Sequence, residues 1–171
     1  MKIQRAKPED AAAISSLIFE TAATQLRNEF SDQGWQLFLE LISQQTQESL
    51  INNKKFNHLL AMVEGEAEGD NPGQMTLAGI LVIKDKNHLF HFFVKPQWQG
   101  RGIGKRLWYT YIEEYKALNS DKLFRQSFDL VTVNSSDFAL QFYQQLGFAM
   151  NGERQKKKGV CYTPMTFIVP H

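Results

Sequence analysis

The sequence predicts an α/β (α+β) domain of about six to seven strands and about four helices, and three observations carry that expectation. Apolar runs joined by short polar turns read as an antiparallel strand series between His58 and Val94. Apolar residues three and four apart mark amphipathic helices before and after it. A glycine-rich segment, "WQGRGIGKRLW", stands where the last of those strands gives way to a helix.

Taken in order, Lys2 to Ala6 forms a short strand. Pro8 at a first helical position and Glu9 and Asp10 in the first turn then open a helix with Ile14, Leu17, Ile18 and Ala22 on its core face. A second helix starts at Ser31, a good N-cap, and carries Trp35, Phe38, Leu39, Leu41 and Ile42 inward. His58 to Val63 and Leu77 to Ile83 are strands separated by "EGEAEGDNPGQ", an exposed loop whose composition predicts disorder. His88 to Val94 follows the turn "KDKN", and this spacing favours an antiparallel meander. Helix resumes after the glycines with Ile103, Leu107, Tyr111 and Tyr115 four apart. Next come the strand "FDLVTVN", a helix opening near Ser136 with Phe138, Phe142 and Leu146 on one side, and Gly147 as its stop. Two final strands flank "RQKKKG". No repeat or linker divides the chain, so residues 1–171 are expected to form one domain.

Composition bounds the function. The 171 residues are 43% hydrophobic and 22% charged with a net charge of +1, which favours neither nucleic acid nor an acidic surface as partner. Cys161 is the sole cysteine, so an intrachain disulfide and a multi-cysteine zinc site are excluded, and a reducing, cytoplasmic setting is expected. No window approaches the roughly 18 apolar residues of a membrane span, and the N-terminus lacks the apolar run of an export signal. A metal site is disfavoured because His88 and His91, three apart on a regular strand, would face opposite sides.

Spacing separates the phosphate-binding alternatives for the glycine segment. A dinucleotide fingerprint begun at Gly100 or Gly102 needs glycine where Lys105 or Leu107 stands. A P-loop ending at Gly104 and Lys105 needs glycine at Gln99 and Ser or Thr at Arg106. What remains is Q-x-x-G-x-G at a helix start. Glycines there let backbone N–H groups approach an anion, and the helix N-terminus adds about half a positive charge. The segment reads as a pyrophosphate cradle, with Arg101, Lys105 and Arg106 able to reach further phosphates. The alternative is a glycine turn with solvated basic residues.

"FFVKPQWQGRGIGKRLW" resembles the acyl-CoA-binding motif of the GNAT superfamily of N-acetyltransferases, a strand ending V-x-P followed by (Q/R)-x-x-G-x-(G/A). "VTVNSSDFALQFYQQLGF" resembles the motif that follows it in that superfamily, a strand ending in Asn and then A-x-x-F-Y-x-x-x-G-F. The two stand in the right order about 30 residues apart. The resemblance is strong for Phe92 to Phe148 and weaker before it. It implies the GNAT fold, a mixed and mostly antiparallel sheet splayed between its fourth and fifth strands. It also implies acetyl-CoA as co-substrate, no metal, and direct attack by an amine on the thioester.

Residue by residue, the resemblance places the cofactor on Gln99, Gly100, Arg101, Gly102, Ile103, Gly104, Lys105 and Arg106, with Phe93 and Val94 beside the pantetheine and Asn134 against its arm. Tyr143 would protonate the departing thiolate. A phenol near pKa ~10 and a thiol near ~8.5 make that transfer accessible; a packed helix residue is the alternative role. An alkylammonium of pKa ~10.4 is only about one part in 10³ neutral at pH 7, so a base is needed. His91 is the first candidate and His88 the second. The family more often has Glu or Asp there, so a water relay or purely structural histidines stay open. The acceptor surface implied by the family offers Phe30, Trp35 and Tyr162, with Arg154 and Lys156 to Lys158 on a basic turn. The acceptor is a small-molecule or peptide amine, and homodimerisation stays open. A silent acyl-CoA sensor and a nucleic-acid-binding module are the competing functions.

Overall fold

In the computed structural model, residues 1–65, 73–119 and 129–170 are described. The loop expected to be disordered lies largely outside them, as does Phe128, the first residue of "FDLVTVN". Strand β1 spans Lys2–Arg5, and a single 3-10 turn at Pro8–Asp10 leads into helix α1, Ala11–Gln25. The turn is fixed by the Lys7 N–H donating to the Asp10 carboxylate at 2.8 Å. Ala11, Ile14, Leu17, Ile18, Thr21 and Ala22 form the buried stripe of α1, the three-four spacing of its sequence.

Helix α2, Asp32–Ile42, is capped by Ser31, whose hydroxyl oxygen accepts from the Gly34 N–H at 3.1 Å. Its inward residues are Gly34, Trp35 and Ile42, while Leu41, expected in the core, is 37% exposed. Leu41 stands four residues beyond the exposed Leu37, on a stripe beside the core rather than within it. Helix α3, Gln44–Ile51, has no counterpart in the sequence reading, because "QQTQESLI" shows no apolar period. It is specified instead by the Ser43 cap on the Thr46 N–H and by buried Gln47, which donates to the Leu41 carbonyl at 3.0 Å.

Strands β2 (Phe56–Glu64), β3 (Met75–Lys84) and β4 (His88–Val94) form the expected meander. After the 3-10 turn Pro96–Trp98 comes helix α4, Ile103–Asn119; then β5 (Leu130–Ser135), α5 (Leu140–Gln145), β6 (Ala149–Met150), β7 (Gln155–Lys157) and β8 (Val160–Ile168). The sheet order is β1-β2-β3-β4-β5-β8-β6, with β7 paired on β8. Eight strands among the described residues thus exceed the six to seven expected. The additional one is β7: half of "RQKKKG", Gln155–Lys157, is strand, and the turn itself is only Lys158 and Gly159, with φ of 49° and 77°. Two successive positive φ values make the type I′ hairpin that suits twisted strands.

The short helix also begins later than expected. Ser136 to Ala139 is a turn, in which the Ser136 hydroxyl oxygen accepts from the Ala139 N–H at 3.1 Å, and Phe138 is 55% exposed rather than packed. Gly147 ends the helical segment with φ of 96°, as expected.

The sheet separates two apolar layers. Leu60, Ile80 and Val82 pack with Ile14, Leu17 and Ile18 on the α1–α3 face. Leu81, Val131 and Met165 pack with Leu107, Trp108 and Tyr143 on the α4–α5 face. Parallel pairing of β4 with β5 is limited to His88↔Thr132 and Leu89↔Val133, after which the strands part. The resulting split, at the place the resemblance implied, positions the site.

Candidate active site

A cavity of about 1110 Å³ fills the split. One wall is the edge of β4 from Phe90 to Val94, which has no strand partner on its β5 side among the described residues. The glycine segment closes one end of it. Gly100 and Gly102 have φ of 74° and 79° and nothing within 4 Å of where a Cβ would stand. Both therefore supply a left-handed backbone on an open surface, as a cradle needs. At the start of α4 the N–H groups of Ile103, Gly104 and Lys105 have no carbonyl within the helix to receive them.

Gly104 serves another purpose. A Cβ there would stand 2.9 Å from the Phe142 ring, so this glycine admits the close approach of α5 to α4. The Gln99 side chain is likewise engaged inside the protein, donating to the Val94 carbonyl at 2.8 Å and exchanging bonds with Gln25. It anchors the cradle to β4 and to the end of α1. Lys105 lines the cavity, whereas Arg101 and Arg106 do not; the Arg101 guanidinium lies 4.6 Å from the centre of the Trp98 ring.

On the opposite wall, Asn134 lines the cavity from β5 and Tyr143 from α5. The Tyr143 ring is wedged between Phe92 and Phe148, and burial pushes its pKa well above 10, so it stays protonated at neutral pH.

The two histidines sit differently from the regular-strand expectation. Val82 pairs with His91 but Ile83 pairs with Leu89, leaving Phe90 as an extra residue in β4. His88 therefore pairs with Lys84 and His91 with Val82, and those partners are two apart on β3. Both histidines face the α1–α3 side and both line the cavity, so the premise used against a shared histidine site is corrected. Among the described residues no group of three or more His, Cys, Asp or Glu side chains could hold a metal.

Their environments differ. His91 is 4% exposed, its Nε2 has no hydrogen-bond partner among the described residues, and burial, reinforced by His58, lowers its pKa to about 3. His88 is half-buried with Nδ1 2.8 Å from the Thr132 hydroxyl; burial first and then Lys84 lower its pKa, against an opposing pull from Asp85. His58, across β3 from His91, is lowered to about 4 by burial. These folded values lie below 6.5, so the unfolded chain binds more protons in mildly acidic solution. Stability is therefore full above about pH 6.5 and declines as pH falls toward the folded values of about 4 and about 3. In urea titrations the midpoint should drop between pH 7 and pH ~4.5, and drop less in His58→Leu.

The remaining wall is built from Phe30, the α2 helix and the β7–β8 hairpin. Phe30 bridges Val160, and the Ser31 N–H donates to the Gly159 carbonyl at 2.8 Å. Gly34 and Gly159 touch so closely that a Cβ on Gly34 would stand 2.4 Å from the Gly159 oxygen. Tyr162 lines the cavity with its hydroxyl donating to Gln155 at 3.0 Å. Trp35, expected to line it as well, does not; it is buried behind Phe30 and Phe38, with ring centres 5.5 Å from each. Arg154 of the basic turn is held by Asp137 through bonds of 2.7 to 3.0 Å.

Glu29, which sequence reasoning missed, ties the site together. Its carboxylate accepts from the N–H groups of Asp137 at 2.7 Å and Phe138 at 3.0 Å, joining the α1–α2 connection to the turn before α5. These partners are over a hundred positions away, and no local pattern signals such a contact. Leu37, Phe38, Leu41 and Phe90 also line the cavity without having been assigned to it.

A split sheet with a helix N-terminus at its mouth and a buried tyrosine opposite defines a class of fold shared with acetyltransferases. The Acetyltransferase (GNAT) domain family matches residues 26–169, and the chain belongs to that family. The fold is similar to that of a GCN5-related N-acetyltransferase from Rhodopseudomonas palustris, at 18% identity and TM-score 0.70 over 98% of this chain and 94% of that one. It is also similar to the PaiA N-acetyltransferase of Thermoplasma acidophilum in complex with coenzyme A, at 18% identity and TM-score 0.68, covering 98% and 99% of the two chains. An aminoglycoside 6′-acetyltransferase type Ii aligns at 16% identity and TM-score 0.64 over 100% of this chain and 99% of that one. No curated protein matches the sequence significantly. No described helix is long and apolar enough to cross a membrane.

Proposed function

We propose that this chain, as a single domain over residues 1–171 working in the cytoplasm, transfers the acetyl group of acetyl-CoA to a primary amine within a ternary complex. The observation that carries the reading is the open edge of β4 leading directly into the glycine cradle at the start of α4. A backbone left without strand partners can pair with an extended amide-bearing arm, and the cradle can hold an anion at its end. Gly100 and Gly102 leave room for that approach. Bound there, acetyl-CoA supplies an activated thioester carbon.

This chain's own groups supply the rest. The β4 backbone around Phe93 and Val94 orients the thioester, with an N–H available to its oxygen. Asn134 and Lys105 flank the arm from the two sides of the split. Tyr143, kept protonated by burial, donates a proton to the leaving sulfur. For the base, the surroundings favour His88 over His91. A histidine at about 3 is too weak to take a proton from an ammonium near ~10.4, whereas His88 is less buried and is oriented by Thr132. His91 then serves as a neutral wall, and water can complete a relay to His88.

Thermal unfolding with and without acetyl-CoA tests the cradle. Saturation to ~100 times Kd adds about 2.7 kcal/mol, and the Tm should rise by roughly 5 to 11 °C. NAD and ATP at equal concentration should leave it unchanged. A rise with NAD or ATP, or none with acetyl-CoA, would refute the assignment.

A further inference from the structure

We infer that the acceptor is a primary amine carried on an apolar, aromatic-sized body with an anionic group at its far end, and that polycationic amines are poor acceptors. The inference rests on the acetyltransferase reading and adds the substrate class. On the α1–α3 side of the split the cavity is walled by Phe30, Leu37, Phe38, Leu41, Phe90 and Phe93. Leu37 and Leu41 are 43% and 37% exposed, so the apolar wall continues out to the lip. Such a surface takes up an apolar body and penalises each unpartnered charge that enters.

The charge pattern gives the body its polarity. Among the described residues Glu29 is the only carboxylate lining the cavity, and both its oxygens already accept backbone N–H groups. Among the described residues the cavity offers no further carboxylate to hold a second or third ammonium. At the rim, by contrast, the β7–β8 hairpin presents Lys157 and Lys158, both exposed cavity-lining residues with no carboxylate partner among the described residues. The contact of Gly159 with Ser31 and Gly34 fixes that hairpin beside the start of α2, so the lysines border the apolar wall. The histidines lie where β4 and β5 begin to part, at the inner end of the split. An acceptor would therefore enter amine first and leave its anion against the lysines. The amine nitrogen then bonds to the acetyl carbon as the carbon–sulfur bond breaks. The sulfur takes one proton, and one further proton from the original ammonium goes to solvent.

The test measures thiol release from acetyl-CoA by the full chain with three amines: 4-(2-aminoethyl)benzoate, phenethylamine and spermidine. The benzoate should exceed phenethylamine in kcat/KM by about fivefold or more, the scale of a partly exposed ion pair. It should exceed spermidine by about tenfold or more. In a Lys157→Glu, Lys158→Glu double variant the benzoate-to-phenethylamine ratio should fall to one or below. Acetyl-CoA stabilisation of each protein is read in parallel and reports folding and the cradle separately. With that stabilisation present, spermidine as the best acceptor, equal rates for the two aromatic amines, no transfer to any of them, or a ratio indifferent to the double substitution would overturn the inference while leaving the cradle standing. Without that stabilisation, the underlying acetyltransferase reading fails and takes the inference with it.

Discussion

Tyr143→Phe should lower kcat by about 10²-fold or more, the usual contribution of a positioned proton donor, while leaving Kd for acetyl-CoA within about twofold of the parent. The separation follows from where Tyr143 sits. Its ring is held by Phe92, Phe142 and Phe148, and phenylalanine preserves those contacts. Only the hydroxyl is removed, and the cradle at Gly100 to Lys105 lies on a different element. Because burial raises the Tyr143 pKa, the hydroxyl remains a donor throughout the neutral and mildly alkaline range, and its ionisation should not limit the rate there. Single-turnover thiol release together with calorimetric binding checks both halves. Unchanged kcat would remove Tyr143 from the acid role, and lost cofactor binding would make it a structural residue.

Trp108→Ala should destabilise the protein by about 3–5 kcal/mol, lowering Tm by roughly 6 to 20 °C. Trp108 is fully buried on α4 and packs against Phe148 at 5.0 Å and Phe167 at 5.1 Å between ring centres. Phe148 follows the helix that carries Tyr143, and Phe167 lies on β8, so one indole joins α4 to the part of the sheet beyond the split. Its Nε1 has no hydrogen-bond partner among the described residues, so the cost of alanine is one of volume and contact. A calorimetric Tm within 3 °C of the parent would show that the layer repacks around the gap.

What the sequence discloses about this site depends on how local the cause is. The cradle is legible because its requirement is a backbone one: left-handed conformations at Gly100 and Gly102 are written into the residues themselves. Tyr143 and Asn134 are legible through the strand-then-helix motif that carries them. Gly104 is legible as a necessary glycine but not in its reason, because the Phe142 ring that excludes a Cβ arrives from another helix. Helix α3 is hidden for a related cause, since its stability comes from a serine cap and a buried glutamine rather than from apolar period. Trp35 has the composition of a binding residue, yet the partners that cover it, Phe30 and Phe38, are set by how α2 meets the preceding turn. Glu29 is illegible altogether, being a solvated-looking acid whose partners come from the turn after β5.

The extra residue at Phe90 behaves as a phase shift in an otherwise two-beat pattern. Upstream of it His88 and Leu89 keep the alternation of β3, and downstream His91 to Val94 keep it as well, but the two halves are out of step by one. That offset lets one strand turn a histidine toward the α1–α3 side twice without placing a charged or apolar residue on the wrong layer. A strand of the same length without this bulge would turn His88 and His91, three positions apart, to opposite faces, so that only one of them could lie on the α1–α3 side. The single extra position therefore decides whether one or two titratable side chains of β4 face the same side of the fork, and it does so without contributing any chemistry of its own.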